Sequence, residues 1–282
     1  MSQVTVRKQK RKKNHVRTRL IVFAVLAGIL LLCSLFSAYL TPCDPYLQDL
    51  SNAKAAPSAA HLLGTDRYGR DMLSRVIIGS RTSIYSTLLL VAVVTVTGTV
   101  VGVFCGWQGG KWTDTVLMRI SDMFLAFPGL VFAMAVAGVL GGGLHNAILA
   151  LAAISWPKYA RIARSQTLAQ KEMPYIRAAV LAGSSTAKIL FHHILPNIIG
   201  PILVTAMLDI GTMMMELAGL SFLGLGAKPP AAEWGSMMSD TRSLITTAPW
   251  VTLAPGFAIF LSVMVFNLLG DTVRDYVDPK SR

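Results

Sequence analysis

Long uncharged runs of hydrophobic residues dominate the pattern of this chain. A bilayer core of about 30 Å requires about 20 helical residues at about 1.5 Å each. Four runs reach this scale, namely Leu20–Leu40, Ser83–Cys105, Met123–Leu140 and Pro249–Leu269. The pattern therefore predicts a helical protein that crosses a membrane at least four times.

Two further segments have the length of a span but a less regular pattern. The run Leu195–Leu220 is interrupted by Asp209 and Glu216, and the segment from Asn146 to about Arg164 loses its uncharged character after Pro157. With these segments we expect an all-α fold of six transmembrane helices. The fourth span, Asn146 to about Arg164, is the least regular of the six.

The alternative to a separate fourth span is one long helix over Met123–Pro157. Such a helix would extend about 52 Å, and three consecutive glycines, Gly141–Gly143, would lie in its middle, where glycine is unfavourable. Two helices joined by a tight external turn fit the sequence better. In that arrangement Lys158, Arg161 and Arg164 would extend towards the cytoplasmic interface.

Composition supports an integral membrane protein and argues against other classes. Of 282 residues, 53% are hydrophobic and 14% charged, and the mean hydropathy is +0.55, too apolar for an ordinary soluble domain. The net charge of +12 is concentrated in short segments, which does not favour nucleic-acid binding. The three cysteines, Cys33, Cys43 and Cys105, lack a CxxC spacing, so neither a disulfide framework nor a zinc site is indicated.

The basic residues predict the orientation of the chain. Arg7–Arg19 holds eight Lys/Arg and no acid before the first hydrophobic run, which indicates an uncleaved anchor. Lys158–Lys188 holds six Lys/Arg against one acid. The positive-inside rule places both regions, and both termini, in the cytoplasm. The predicted organisation is a basic segment 1–19, an anchor helix 20–40, an outward loop 41–81, a core of five spans 82–273 with a cytoplasmic loop 165–193, and a cytoplasmic tail 274–282.

The predicted cytoplasmic loop carries a pattern of small residues. Ala178-Ala179, then Gly183, then the sequence HHILP ending at Pro196 resemble the EAA loop of permease subunits in bacterial ABC importers. Small residues let a short helix lie closely against a partner, and proline is tolerated where the next helix begins. Arg177 stands where that family often has glutamate, so a salt bridge made by that acid is not implied. A plain connecting loop is the alternative.

Other stretches extend the resemblance over nearly the whole chain. Four stretches are similar to signatures of the peptide/nickel group of these permeases: His61–Arg75, Arg119–Pro128, Leu220–Gly235 and Phe266–Pro279. The resemblance implies a type I ABC importer permease fold in the bacterial inner membrane. It implies as partners a second homologous permease, two ATPase subunits and an extracytoplasmic binding protein. The residues implied to couple this chain to the ATPase are Tyr175, Arg177, Ala178, Ala179, Gly183, His193 and Pro196.

The chain lacks a nucleotide-binding loop of its own. A P-loop requires GxxxxGK[ST], but the nearest candidate, Gly109–Lys111, has Cys105 at the first glycine position and Trp112 after the lysine. We therefore expect no cofactor on this chain and no enzymatic activity. ATP and Mg²⁺ are expected in the partner ATPase subunits.

Asp209, Met213 and Glu216 share one helical face of the fifth predicted span. A carboxylate within a membrane costs about 2.5–3.5 kcal/mol on insertion scales, which disfavours contact with lipid. One hypothesis is that this face lines the translocation path; the alternative is that neighbouring helices satisfy both acids. No metal site is predicted. Met213–Met215 cannot all face one way, the adjacent His192 and His193 would point about 100° apart on a helix, and nothing in the sequence supports a metal contact at His61 or His145, both predicted outside.

The transported species is the least determined property. The stretch Leu208–Gly226 is more similar to nickel permeases than to dipeptide permeases, through Asp209-Ile210-Gly211 and the methionines that follow. We therefore favour import of nickel, free or chelated, with di- or oligopeptides as the alternative. A passive channel and a membrane-embedded hydrolase are more remote alternatives, and GxSxG and HExxH motifs are absent from the sequence.

Overall fold

The computed structural model describes residues 2–277, with side chains from Val16 onward. Most of the predicted basic segment 1–19 therefore has a described backbone only. Residues 278–282 of the predicted tail 274–282, including Pro279, lie outside the described residues.

The described chain is built from helices, most of them joined by short connections, with one long segment over residues 41–71. Residues 2–277 contain no strand, and their one isolated bridge joins Thr65 and Asp71. The helices are α1 (Ser2–Leu35), α2 (Ser37–Leu40), α3 (Met72–Gln108), α4 (Trp112–Leu125), α5 (Gly129–Val139), α6 (Leu144–Lys171), α7 (Pro174–Leu181), α8 (Thr186–Ile189), α9 (Leu195–Phe222), α10 (Trp234–Thr241) and α11 (Pro249–Val277). Short 3-10 turns cover Leu50–Asn52 and Arg242–Leu244, and a π turn covers Leu190–Ile194.

Four helical segments within the described chain are long and apolar enough to cross a membrane. They are Val16–Leu35, α3, Thr186–Phe222 and α11, and the bent pair of α4 and α5 provides a fifth if it is one span. The 28 residues of α6 give sufficient length, about 42 Å, although its apolar part ends before Lys158. The all-α prediction is confirmed, and the least regular predicted span is a continuous helix.

The third predicted span differs from the expectation of one continuous run. The segment Met123–Leu140 is divided between α4 and α5, whose axes form an angle of 93°. Pro128 precedes α5, and proline both lacks an N–H donor and disfavours helical geometry at the residue before it, here Phe127. Hydropathy alone gives no sign of this break, because both sides of it are apolar.

The most extensive helix pair is formed by α3 and α6. Three glycines of α3 spaced four residues apart, Gly98, Gly102 and Gly106, face α6. A Cβ atom at any of them would come within 3 Å of atoms in α6. Small residues at this spacing let two membrane helices approach closely, so α6 is held in a defined register against α3.

Two hydrophobic cores meet at α9. One joins α9 to α3, α5, α6 and α7, and the other joins it to α1, α3, α10 and α11. Met213 belongs to the first core and the adjacent Met214 to the second. Since α9 also continues from the predicted cytoplasmic loop, it connects that loop to both halves of the bundle.

Candidate coupling surface and intramembrane acidic face

Local backbone signals at both ends define the short helix α7. Pro174 occupies its first turn, where the N–H that proline lacks would have no partner within the helix. At the other end the Gly183 N–H donates to the Val180 carbonyl and the Ser184 N–H to the Ala179 carbonyl, both at 3.0 Å. With Gly183 at φ +75°, this is a Schellman cap. Gly183 thus ends α7 in a left-handed backbone conformation, which residues with a side chain adopt less readily than glycine does.

The faces of α7 differ in their contacts. Ile176 is buried, and Ala179 packs against the core that contains α6 and α9. Ala178 and Val180 are exposed, and Leu181 is 89% exposed. One face of α7 is therefore held by the bundle, while a small, mostly apolar surface is open to a partner.

Arg177 has a partner within its own chain. Its Nη2 donates to Glu172 Oε2 at 2.5 Å, and both side chains are about two-thirds exposed. An exposed pair of this kind contributes about 0–1 kcal/mol to stability. Arg177 therefore remains available for exchange with a partner's acid.

Tyr175 and His193 come together at the junction of α7 and α9. Their ring centroids lie 6.4 Å apart. The Tyr175 hydroxyl donates to Gln170 Oε1 at 2.5 Å and accepts from Asn197 Nδ2 at 3.3 Å. Pro196 lies in the first turn of α9. Tyr175, His193 and Pro196 therefore form one end of the predicted coupling surface, and Ala178 to Gly183 form the other end.

Asp209 lies halfway along α9 and is buried, with 5% of its surface exposed. Its two carboxylate oxygens accept from Lys158 Nζ at 2.6 and 2.8 Å. The Tyr159 hydroxyl donates to Oδ2 at 2.9 Å. These partners of Asp209 are the ones required by the alternative interpretation of the acidic face, in which neighbouring helices satisfy the acids. A paired buried charge avoids the cost of an isolated one.

Glu216 and the methionines occupy a different environment from Asp209. Glu216 is partly buried, and among the described residues it has no hydrogen-bond or ion-pair partner. Met213 is buried, whereas Met215 is 56% exposed. Asp209, Met213 and Glu216, the three predicted path residues, therefore share a helix face but do not form one network of contacts.

Sequence reasoning missed the partners of the basic residues in α6. Lys158, expected to extend to the interface, instead binds Asp209 within the bundle. Arg164 forms two hydrogen bonds of 2.6 and 2.7 Å with Asp114 of α4, and Arg161 binds Asp122 at 2.6 Å. The paired residues are 39 to 51 positions apart, so no local pattern could have identified them.

Comparison with known proteins agrees with this architecture. Residues 98–282 match the family described as binding-protein-dependent transport system inner membrane component. The chain is 42% identical over 264 residues to the nickel transport system permease NikC of Escherichia coli, covering 94% of both chains. It is 41% identical over 271 residues to the dipeptide transport system permease DppC of Alkalihalophilus pseudofirmus, covering 96% of this chain and 88% of that one.

A third relative and a solved structure extend the comparison. The glutathione transport system permease GsiD of Pectobacterium atrosepticum is 42% identical over 271 residues, covering 95% of this chain and 89% of that one. An inward-facing structure of the MetNI methionine ABC transporter superposes with a TM-score of 0.53 at 20% identity, over 73% of this chain and 98% of the matched chain.

The structural match confirms the predicted ABC importer permease fold, and the sequence matches confirm the resemblance. The chain belongs to the family of binding-protein-dependent transport system inner membrane components and is a permease component of an ABC transporter.

Proposed function

We propose that this chain forms half of the transmembrane path of an ATP-driven importer and receives mechanical work through α7. A second homologous permease would complete the path, two ATPase subunits would bind ATP and Mg²⁺, and an extracytoplasmic protein would deliver the cargo. The observation that carries this proposal is the capped, partly exposed helix α7, held by the bundle on one side and open on the other.

The contacts of α7 provide a route for the motion. Ile176 anchors α7 in the same core as Ile189 and Ile194. Ile189 immediately precedes the π turn that leads into α9, and Ile194 is the last residue of that turn. A displacement of α7 would therefore be transmitted to α9 by close-packed side chains, which resist compression. Because α9 carries Asp209 and Glu216, such a displacement would move the acidic face relative to α6.

Cross-linking in the assembled complex tests the coupling surface. In a chain with Cys33 and Cys43 replaced by serine, Leu181→Cys should cross-link to an ATPase subunit. Tyr39→Cys is the matched control, since Tyr39 is 86% exposed but lies at the outer end of the predicted anchor helix 20–40. Cross-linking of Tyr39→Cys, but not of Leu181→Cys, to an ATPase subunit would contradict the proposal. Labelling of Leu181→Cys only from outside the cell would also contradict it.

For the cargo we infer nickel, free or chelated. The stretch Leu208–Gly226 is similar to that of nickel permeases, and α9 presents Glu216 without a partner among the described residues. Short peptides are the second candidate, favoured by the DppC relative, whose identity of 41% is nearly the 42% of NikC. A peptide's ammonium group would also suit a carboxylate in the path.

Two measurements separate these cargos. Calorimetry on the co-purified binding protein with Ni²⁺, a Ni²⁺ chelate and dipeptides should give heat of binding with a nickel species; binding of dipeptides alone would establish the second candidate. ATP-dependent uptake into proteoliposomes should then fall when Asp209→Asn and Glu216→Gln are combined. Unchanged uptake by correctly assembled complexes would exclude the acidic face from the path.

The same purification distinguishes the remote alternatives. An importer permease should co-purify with ATPase subunits, and uptake should stop when those subunits cannot hydrolyse ATP. A passive channel or a membrane-embedded hydrolase would remain active without them.

A further inference from the structure

Three side chains of different ligand types converge next to the start of α3. The Cys43 sulfur, a nitrogen of His61 and a carboxylate oxygen of Asp71 all lie within 4.8 Å of one another. Cys43 is exposed, His61 is partly buried and Asp71 is buried. All three belong to the segment that joins α2 to α3: Cys43 near its start, His61 further along it, and Asp71 at its end as the N-cap of α3, so only the tertiary structure brings them together.

The hydrogen bonds around Asp71 orient the cluster. Asp71 Oδ2 accepts from the Ser74 backbone N–H at 2.8 Å and from the Ser74 hydroxyl at 2.7 Å. Its other oxygen, Oδ1, is thereby directed to His61 Nδ1 at 3.0 Å. Ser74 Oγ in turn accepts from the Cys43 backbone N–H at 3.1 Å. The same serine thus positions two of the three groups, as outer-shell hydrogen bonds do in metal sites.

We propose that Cys43, His61 and Asp71 bind one divalent transition-metal ion of the zinc type. Thiolate and imidazole ligands favour Zn²⁺, Co²⁺ and Ni²⁺ over Mg²⁺ and Ca²⁺, which prefer oxygen. Three protein ligands leave a fourth position for water in a tetrahedral site. Neither a CxxC spacing nor a local histidine pattern marks this site in the sequence.

The distances are compatible with such a site after a small adjustment. Metal–ligand bonds of about 2.0–2.3 Å at tetrahedral angles separate neighbouring ligand atoms by about 3.3–3.8 Å. The 3.0 Å between His61 Nδ1 and Asp71 Oδ1 is already close to this range. Cys43 would have to approach by about 1 Å, which rotation of an exposed side chain permits. Its thiol proton and any proton on Nδ1 would leave on binding.

The ion would link the segment that leaves α2 to the N-cap of α3. It would close a loop of the chain between Cys43 and Asp71, and such cross-links stabilise folded proteins by restricting the unfolded chain. The inference rests on these side chains alone and does not depend on the proposed cargo, so it applies to a nickel importer and a peptide importer alike.

The test uses the full chain in its assembled complex, purified and stripped of metal. Titration with Co²⁺ should produce sulfur-to-metal charge-transfer absorption at one equivalent per chain, and Zn²⁺ should abolish it by competition. Cys43→Ser should remove the absorption, and His61→Gln, which removes a direct ligand, should weaken Co²⁺ binding by more than the about 10- to 100-fold that loss of an outer-shell partner costs. Asp71 is left unchanged because it also caps α3.

Matched controls are Cys33→Ser and His145→Gln, which replace an exposed cysteine and an exposed histidine elsewhere in the chain. Both should bind Co²⁺ like the parent complex. The proposal is overturned if Co²⁺ gives no thiolate absorption, or if Cys43→Ser and His61→Gln, eluting as intact complexes, bind Co²⁺ with unchanged affinity.

Discussion

Replacing Lys158 by methionine should destabilise the protein far more than its partial exposure suggests. Its Nζ lies 2.6 and 2.8 Å from the oxygens of Asp209, whose side chain is only 7% exposed. Breaking a buried ion pair by removing one partner costs about 3–5 kcal/mol. Since Tyr159 still donates to Asp209 and Lys158 is half exposed, we expect a loss of about 2 kcal/mol.

Arg161→Met provides a matched control on the same helix. The Arg161 side chain is 49% exposed, compared with 51% for Lys158, but its partner Asp122 is 47% exposed. An ion pair between exposed groups contributes about 0–1 kcal/mol. The two variants therefore differ mainly in the burial of the acid that loses its partner.

The assay is unfolding of the purified complex in one detergent, followed for Lys158→Met, Arg161→Met, Asp209→Asn and the double variant at positions 158 and 209. A neutral amide at position 209 requires no cation, so the double variant should recover more than half of the loss caused by Lys158→Met. A coupling energy of about 1–2 kcal/mol is expected, within the usual range for contacting residues. Equal losses for Lys158→Met and Arg161→Met, or no recovery with Asp209→Asn, would refute the reasoning.

Three further outcomes can be tested in the same complex. Gly183→Val should lower the transport per ATP hydrolysed, because φ +75° costs a side chain about 1–2 kcal/mol, whereas Gly183→Asn should retain most of it. Gly102→Val should abolish recovery of folded complex on gel filtration by forcing α3 from α6, while Gly28→Val, with nothing within 4 Å of the new Cβ, should not. Glu233→Ala should lower the free energy of unfolding by about 1–2 kcal/mol, since this buried acid caps α10 by accepting from the Gly235 and Ser236 N–H groups at 2.9 Å. An unfolding free energy equal to that of the parent complex would contradict that role.

Several elements followed from the sequence because their physical basis is local. The length of each uncharged run set the approximate position of the long helices, and Pro196 indicated where α9 begins. The break at Pro128 escaped the hydropathy pattern, because the apolar residues on both sides suit one span as well as two bent helices. The coupling residues and the path residues were identified from pattern and resemblance, and their roles remain proposals.

Sequence by itself determined that this chain is a helical permease component, since bilayer thickness fixes the length of apolar helices and the family motifs lie in short local stretches. The tertiary structure decided which charged groups meet. Lys158 binds Asp209 across 51 positions, and Cys43 approaches Asp71 across 28 positions of the printed sequence. The physical reason is that ion pairs and metal sites depend on distances between helices, which are set by packing such as the glycine contacts of α3 with α6 and leave no periodic trace along the chain.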